Sequence, residues 1–449
     1  LGEDSGGTLP PRTIETEWKV NDTTCDTAFS LSNAGIIAVE IRAATLPITI
    51  SGVIFGRETS NPICYAEGPF KSSAGNIYAV FEDSATPGKL VVVKATNPES
   101  SFTGQDTAAA PDAGNALATL WVFKDGDDLK MVTGTTLGPE YRYHIFHMAT
   151  DLWDSTVVNE TLEDIKDGIW LTAAVTVRSD GDVVVFYSGD ADAIMGTNYN
   201  RADYAVRVGT WTVGVNVAGD GLEAHYVAHA SVLGASDKTH FIYLDYTNND
   251  LYHRSLSSAD SLGTQHLVSG TTETGLTVGR PSAFYDAAGT ERITICYLNT
   301  DDTLYTSVVE NDGTPSTPIQ ASDNTVDLNN VAGGLAVEDS SSKKIHLLYA
   351  DGANDLWYDA NTNNGGWGTD TEELDVITAR AISSNVYTRS GNIKLAYVYD
   401  DGGTVRYHEK ELAVAPPLRT RPKRAFQPVG NVQPSPVLTR RTRTRILTR

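Results

Sequence analysis

Hydrophobic and polar positions along this chain form short runs of five to eight residues, separated by turns rich in Gly, Asp and Asn. Four segments in the second half share one plan: a run with Tyr at or near its end, a tight polar turn, and a second run that opens with Leu or Val and has Tyr within two positions. They are Phe241–Asp245 with Leu251–Tyr252, Ile293–Tyr297 with Leu304–Tyr305, Ile345–Tyr349 with Leu356–Tyr358, and Ile393–Tyr397 with Val405–Tyr407. Because these turn residues accept the backbone conformations of hairpin loops, the pattern predicts antiparallel hairpins.

The same motif recurs along the chain at nearly constant spacing. Its marker positions are Phe81, Val132, Tyr187, Tyr243, Tyr297, Tyr349 and Tyr397. Successive markers lie 48 to 56 residues apart, which gives seven units of about fifty residues. Each unit has room for four short strands, and no stretch has sustained helical periodicity. Radially repeated four-stranded units are typical of propeller blades, so we predict an all-β fold, a seven-bladed β-propeller. A pair of β-sandwiches is the alternative.

Closure of the ring requires a strand from the other end of the chain. The seventh unit supplies three strands, and the Pro-rich sequence after it offers no fourth. Two N-terminal runs could complete this blade, Gly35–Arg42 or Ile48–Phe55, and we expect one of them to do so. The predicted organisation is an N-terminal extension at 1–33, a closing strand from 34–56, blades at 57–115, 116–167, 168–222, 223–272, 273–325, 326–376 and 377–414, and an extended arm at 415–449.

The charge of the chain is unevenly distributed. The 449 residues contain 34 Lys and Arg against 57 Asp and Glu, a formal charge of −23. The last 35 residues carry nine basic side chains and no acidic one, so residues 1–414 hold 25 basic against 57 acidic side chains, or −32. Such an acidic body disfavours nucleic acid as its partner, and no apolar run approaches the roughly 20 residues needed to span a bilayer. The chain opens at Leu1 without a signal-peptide pattern, which suggests that an upstream piece has been removed or lies outside this sequence.

The basic arm is the predicted partner-binding segment. Its six prolines favour an extended backbone, and its last residues alternate Arg and Thr, which would suit a strand added to the sheet edge of another protein subunit. Contact with the acidic body itself is one alternative, and nucleic acid is another. The residues expected to bind are Arg419, Arg421, Lys423, Arg424, Arg440, Arg441, Arg443, Arg445 and Arg449.

The three cysteines, Cys25, Cys64 and Cys296, are too few and too widely spaced for a disulfide framework or a zinc site. Cys296 lies in an apolar run and is expected to be buried. The compartment is not decided by these residues.

The repeat resembles those of sialidase-like and lectin-type β-propellers. The resemblance is clearest in Lys344–Trp367 and covers roughly residues 60–410. It implies the fold more than an activity, because the Asp-box turns of sialidases are matched only in part, at Ser179–Gly181 and Ser258–Gly263. A sialidase would also use three arginines to hold the carboxylate of its substrate. The body arginines lie in no such motif: Arg142, Arg178, Arg207, Arg280, Arg292 and Arg389. We therefore predict no catalytic residue and no cofactor site.

Metal-binding patterns are weak. His144 and His147 would point to opposite faces of a strand, and His225 and His229 would lie about 13 Å apart along one. A structural Ca²⁺ could bind at Asp125–Asp128 or near Asp190 and Asp192, although neither has an EF-hand pattern.

Four tryptophans near turns, Trp153, Trp211, Trp357 and Trp367, are the candidate glycan-binding residues, because indole rings stack on sugar faces. Packing between adjacent blades is the alternative role for each.

Three functional hypotheses follow. The first is a non-enzymatic attachment protein, a propeller anchored by its basic arm in a large assembly such as a virus or phage particle, that could also bind glycans on host surfaces. The second is a secreted sialidase-like glycoside hydrolase, and the third is a free lectin-like adhesin. All three place the protein on a virion or outside the cell, and the question of enzymatic activity stays open.

Overall fold

A computed structural model of the chain describes residues 2–4, 12–14, 47–54, 67–96, 101–112, 114, 117–135, 140–156, 160–164, 173–189, 201–214, 224–231, 237–245, 248–270, 272–277, 281–286, 288–311, 313–326, 333–338, 343–353, 355–362, 366–374, 379–389 and 391–412. The chain separates into two units, Leu1–Thr45 and Leu46–Arg449. In the first unit, β1 (Gly2–Asp4) pairs with β2 (Arg12–Ile14) in antiparallel fashion.

The second unit consists of strands grouped into seven antiparallel sheets, the blades. A single strand, β3 (Ile48–Ile50), precedes the first blade in the chain. Blade 1 contains β4 (Val53–Ile54), β5 (Glu67–Lys71), β6 (Ile77–Asp83), β7 (Leu90–Ala95) and β8 (Thr103–Gln105). Blade 2 contains β9 (Leu117–Asp125), β10 (Asp128–Thr135), β11 (Glu140–His147), β12 (Leu152–Trp153) and β13 (Glu160–Asp164). Blade 3 contains β14 (Ala173–Val177), β15 (Val183–Gly189), β16 (Arg201–Val208) and β17 (Thr210–Gly214).

The remaining blades repeat this plan. Blade 4 contains β18 (Ala224–Ser231), β19 (Thr239–Asp245), β20 (Asp250–Leu256) and β21 (His266–Ser269). Blade 5 contains β22 (Thr272–Thr277), β23 (Ser282–Tyr285), β24 (Glu291–Asn299), β25 (Leu304–Glu310) and β26 (Ile319–Gln320). Blade 6 contains β27 (Gly333–Val337), β28 (Lys344–Ala350), β29 (Leu356–Thr362) and β30 (Thr371–Leu374). Blade 7 contains β31 (Ala379–Arg389), β32 (Asn392–Asp401) and β33 (Thr404–Glu411), together with β3.

Every blade is a short antiparallel meander, which confirms the predicted all-β, seven-bladed propeller. Three blades have one strand position divided between two pieces. In these blades β4 and β5 both pair with β6, β12 and β13 with β11, and β22 and β23 with β24. The described residues contain no helix long and apolar enough to cross a membrane.

The ring closes with an N-terminal strand, as predicted. β3 pairs antiparallel with β33, with Ile48 opposite Tyr407 and Ile50 opposite Val405. Of the two candidate closing runs, the strand therefore comes from within Ile48–Phe55, whereas Gly35–Arg42 lies outside the described residues. The basic arm also lies outside them.

The hydrophobic core lies between blades, because the second strand of each blade is buried on both faces. In β28, Ile345, Leu347 and Tyr349 pack towards blade 5, and the alternate residues Leu348 and Ala350 pack towards blade 7. Alternation of side chains along a strand produces this division. The four tyrosines that mark the second-half repeats, Tyr243, Tyr297, Tyr349 and Tyr397, are at most 1% exposed. The repeat in the sequence is thus the repeat of the interblade contact.

Cys296 is buried, as predicted. Its side chain is 2% exposed and packs with Phe284 and Leu298 in the cluster between blades 5 and 6. Burial raises the pKa of the thiol, so Cys296 behaves as a small apolar side chain.

The inner strands form a continuous circle. β5 lies beside β9, and the neighbours then follow in the order β14, β18, β23, β27 and β31, with β31 returning to β5. The faces of these strands that do not pack between blades surround the centre of the ring.

We predict that Ile50→Ala weakens ring closure. Ile50 is 3% exposed and packs with Val405 and Tyr407, so the truncation should lower the free energy of unfolding by about 2–5 kcal/mol. Denaturant unfolding measures the change. Thr49→Ala is the matched control, because Thr49 is exposed in the same strand, and its effect should stay within about 0.5 kcal/mol. An Ile50→Ala protein as stable as the control would contradict a closing role for β3.

Candidate functional site

A cavity of about 280 Å³ lies at the centre of the ring. Six of the seven inner strands reach it, namely β5, β9, β14, β23, β27 and β31. Its lining consists of Glu67, Gly68, Phe70, Trp121, Phe123, Val175, Thr176, Pro281, Ser282, Ala283, Leu335, Ala336, Val337, Ser383, Ser384 and Asn385. The volume is near the lower end of small-molecule pockets, which are roughly 300–1,000 Å³.

Hydroxyl groups provide much of the polar lining. The amide of Gly68 donates a hydrogen bond to Ser383 Oγ at 3.2 Å, which joins blade 1 to blade 7. The hydroxyls of Ser282 and Ser384 are buried and have no hydrogen-bond partner in the protein. Because a buried hydroxyl without a partner is costly, these two groups have unused hydrogen-bonding capacity, which a polar ligand would reach after the side chains rotate.

Aromatic rings and one acid provide the rest of the chemistry. Trp121 and Phe123 are half-buried neighbours on β9, and Phe70 is buried on β5. Glu67 is 6% exposed, so its carboxyl group lies in a low-dielectric environment. Indole and phenyl faces beside hydroxyl, amide and carboxyl groups are the lining that accommodates a sugar ring, which has both C–H faces and hydroxyl edges.

A second hollow, of about 560 Å³, lies next to the cavity. Three inner strands continue from one to the other, and Asn385 borders both. The second hollow is lined by Lys71, Ser72, Ser73, Lys124, Gly126, Asp127, Asn385, Val386 and Tyr387. Since β5 and β9 end here, this hollow forms a mouth on the face of the ring where the inner strands end.

Polar contacts hold the mouth in shape. The carboxylate of Asp127, in the turn after β9, accepts hydrogen bonds from the amide of Ser73 at 2.7 Å and from its hydroxyl. These bonds hold the pKa of Asp127 below its usual value. They link the first turns of blades 1 and 2. Lys71 donates to the carbonyl of Thr388, so blade 7 is tied to the same mouth. The hollow thus has two lysines and one carboxylate in its lining.

Two of the predicted glycan-binding tryptophans pack between blades on one side of the ring. Trp153 is 5% exposed and meets Phe146 edge-on at 5.2 Å in the cluster between blades 1 and 2. Trp211 is half-buried and meets Tyr143 edge-on at 5.5 Å between blades 2 and 3. Trp153 therefore has no open ring face in this structure.

The other two tryptophans lie against the cluster between blades 5 and 6. Trp357 Nε1 donates to Asp351 Oδ2 at 2.8 Å, and Trp367 Nε1 donates to Thr306 Oγ1 at 2.8 Å. Both rings are half-buried. None of the four predicted tryptophans lines the central cavity, and a glycan-binding role for them stays a prediction.

The histidine pair on β11 makes two separate contacts, as its spacing predicts. His144 Nε2 lies 2.8 Å from Thr133 Oγ1, and His147 Nδ1 lies 2.7 Å from Asp128 Oδ1. The side chains of His225 and His229 lie outside the described residues. Among the side chains that the structure describes, no three His, Cys, Asp or Glu are arranged to hold a metal ion.

The carboxylates of the candidate Ca²⁺ turn at Asp125–Asp128 have partners in the protein. Asp125 accepts from Lys130 Nζ at 2.7 Å, Asp127 from Ser73, and Asp128 pairs with His147. Asp190 and Asp192 lie outside the described residues. Structural Ca²⁺ at either place stays an untested prediction.

Three of the body arginines form ion pairs in three different blades. Arg178 Nη2 pairs with Asp260 at 2.9 Å, Arg292 Nε with Asp286 at 3.0 Å, and Arg389 Nη1 with Glu409 at 2.8 Å. Each of these three thus acts within its own blade junction or turn.

The residues of the central cavity were not found from the sequence. Glu67, Trp121 and Ser384 belong to inner strands, which lack the regular Tyr marker of the second strands. The sequence signals these residues only by position. They lie in the run before each marker strand, where polar and aromatic residues interrupt the series of apolar residues. Their convergence depends on the ring.

The fold is shared with known carbohydrate-related propellers. BP39L lectin from Burkholderia pseudomallei aligns over 78% of this chain and 98% of its own, with a TM-score of 0.52 and 12% identity. The α-L-arabinofuranosidase arb93a from Fusarium graminearum aligns over 81% and 98%, with a TM-score of 0.47 and 11% identity. An ulvan lyase aligns over 81% and 94%, with a TM-score of 0.47 and 11% identity. No protein-family model matches the chain, and no curated protein matches it. At 12% identity, the similarity to BP39L lectin shows the fold alone.

We predict that Gly334→Ala distorts the cavity wall. A Cβ at Gly334 would clash with Ser384 Oγ on the neighbouring inner strand, so the substitution should destabilise the fold by about 1–3 kcal/mol. Thermal unfolding measures the shift. Gly366→Ala is the control, because a Cβ there meets nothing within 4 Å. Equal melting temperatures for the two variants would contradict the close approach of β27 and β31.

Proposed function

We propose that this protein binds a carbohydrate in its central cavity and acts as a non-enzymatic attachment protein, anchored by its basic arm in a large assembly such as a virus or phage particle. The observation that carries the binding part is the cavity itself, in which aromatic faces lie beside buried hydroxyls without protein partners. Its volume suits one sugar residue, and the mouth leaves room for further residues of a chain.

The chemistry of the lining supports a sugar over a purely apolar ligand. Trp121 and Phe123 offer faces for the C–H groups of a pyranose ring, and rotation of the Ser282 and Ser384 side chains would bring hydroxyls to its polar edge. Lys71 and Lys124 at the mouth favour a glycan that carries carboxylate or sulfate groups. The similarity to BP39L lectin agrees with this proposal, although it establishes only the fold.

The anchoring part of the proposal comes from charge. Nine basic residues and six prolines in the last 35 residues follow a body of charge −32, which is the distribution expected of an extended interaction arm. The partner would be another subunit of the assembly, which offers acidic surface or an open sheet edge. A virion or extracellular location follows from this proposal.

Glycoside hydrolysis is the second candidate, and Glu67 is the observation in its favour. A buried carboxyl group within a sugar-sized cavity could act as an acid, but most glycosidases use two carboxyl groups about 5–10 Å apart. Glu67 is the one carboxyl group in the described lining. Binding assays are therefore paired with turnover assays on the same glycans.

We predict that Trp121→Phe weakens glycan binding by up to about tenfold and that Trp121→Ala weakens it by tenfold or more, since ring stacking contributes roughly 1 kcal/mol or more. A glycan array with the purified protein identifies the ligand, and isothermal titration calorimetry measures the affinities. Ser384→Ala removes a hydroxyl that would bond to the polar edge of the sugar, so this variant should also bind more weakly.

Val208→Ala is the control for these variants, because Val208 is 68% exposed and does not line the cavity. Its affinity should match that of the unaltered protein. Binding that is unchanged in both Trp121 variants and in Ser384→Ala would place the glycan elsewhere. Turnover of the bound glycan that is lost in Glu67→Gln would establish the enzyme instead.

We predict that deletion of residues 415–449 leaves a folded body that no longer joins its assembly. The last described residue of the blades is residue 412, so the deletion removes no strand that the structure describes. Incorporation into particles, measured by co-sedimentation, should be lost, while circular dichroism should be unchanged. A variant with the nine basic residues of the arm changed to Gln separates charge from chain length. Undiminished incorporation of the deletion variant would overturn the anchoring role.

A further inference from the structure

A group of buried oxygen atoms lies in the contact between blades 5 and 6, away from the central cavity. It consists of Asp359 and Asn361 on β29 and Asp370 immediately before β30. These side chains are 6%, 5% and 9% exposed. Such burial is unusual for carboxyl groups that have no cationic partner.

One oxygen of each side chain has no hydrogen-bond partner in the protein. These atoms are Asp359 Oδ2, Asn361 Oδ1 and Asp370 Oδ1. An unsatisfied buried acceptor costs roughly 1–3 kcal/mol, and more if it is charged. Three in one place therefore require an explanation.

The second oxygen of each carboxylate is held firmly. Asp359 Oδ1 accepts the amide of Ala360 at 2.6 Å, and Asp370 Oδ2 accepts the amide of Asp323 at 2.5 Å and the hydroxyl of Tyr349. These bonds fix the orientation of both carboxylates and leave one oxygen of each available.

Strand register brings the three side chains to one face. Tyr358 lies opposite Thr371, so the next positions, Asp359 and Asp370, oppose each other where the two strands continue. Asn361 is two residues beyond Asp359 and therefore points to the same side. That side faces blade 5, because Trp357, two residues before Asp359, packs in the cluster between the two blades.

A positive charge would stabilise this group of buried oxygens. Burial raises the pKa of Asp359 and of Asp370, and the charge of Asp370 adds to the rise at Asp359. Two like charges at opposing positions of adjacent strands repel each other. Carboxylate and amide oxygens without hydrogen donors are the ligands preferred by hard divalent cations.

We propose that Asp359, Asn361 and Asp370 form a binding site for a divalent cation of the Ca²⁺ class between blades 5 and 6. Two carboxylates and one amide oxygen supply the protein ligands, and water completes the coordination. The bound cation neutralises the acid pair and ties β29 and β30 to one geometry against blade 5. This site is independent of the proposed carbohydrate site.

Sensitised Tb³⁺ luminescence gives a direct test with the full-length protein. Trp357 and Trp367 both lie against the same cluster, so excitation of tryptophan should transfer energy to Tb³⁺ bound among these oxygens. The expected result is saturable emission from the protein freed of metal by EDTA, with displacement by added Ca²⁺. Asp359→Asn and Asp370→Asn should each weaken Ca²⁺ competition at least tenfold.

Asp302→Asn is the matched control, because Asp302 lies in an exposed turn with φ 62°, a conformation that Asn adopts readily. It should bind Tb³⁺ and Ca²⁺ as the unaltered protein does. If an aspartate variant fails to fold by circular dichroism, Asn361→Leu removes a ligand oxygen without altering the acid pair and should show the same loss.

Calorimetry with Ca²⁺ alone gives a second readout on the unaltered protein. Ca²⁺ should raise the melting temperature of the metal-free protein and leave that of Asn361→Leu nearly unchanged. An unaltered protein that binds neither Tb³⁺ nor Ca²⁺, or ligand variants that bind as tightly as Asp302→Asn, would overturn the proposal.

Discussion

Burial of the second strand on both of its faces is the constraint on which this propeller depends. A strand such as β28 has alternate side chains in two different interblade clusters, so each blade is stable only between two neighbours. A fully buried Leu, Val or Ile contributes roughly 1.5–3 kcal/mol, and nearly every position of these strands is buried. A row of such blades has two unsatisfied ends, and the ring removes both when β3 joins β33.

Closure has a second consequence, at the centre. The inner strands leave a cavity of about 280 Å³ in the middle of the ring, as is typical of propellers, which surround a central channel. The positions that face this space hold Glu67, Trp121 and the serines of β31, and Trp121 also packs against the clusters between blades 2 and 3 and between blades 4 and 5. The same geometry that makes the ring stable therefore also provides a cavity and a mouth with lining that differs from the apolar contacts between blades.

The contact between blades 5 and 6 shows how the common plan can be modified. Here the apolar cluster lies beside Asp359, Asn361 and Asp370, each of which has a buried oxygen without a partner in the protein. Tyr349, one of the repeated marker residues, contacts both the apolar cluster and the acidic group. Its ring packs in the cluster, and its hydroxyl donates a hydrogen bond to Asp370. Tyr397, the marker of the last blade, likewise has a hydroxyl that donates to a carboxylate, that of Glu373 at 3.2 Å.

The sequence by itself determined the blade number and the strand type, because Tyr243, Tyr297, Tyr349 and Tyr397 recur with the period of one interblade contact. It left two candidates for the closing strand, and the pairing of β3 with β33 decided between them. This information is local, because each hairpin shows the same alternation of apolar and polar residues and the same kinds of turn residues. The tertiary structure alone decided the site. Glu67, Trp121, Ser282 and Ser384 come from four different blades and meet only when the ring is closed. It also placed Trp153 and Trp211 in the contacts between blades, because the exposure of an aromatic ring depends on the neighbouring blade rather than on its nearness to a turn.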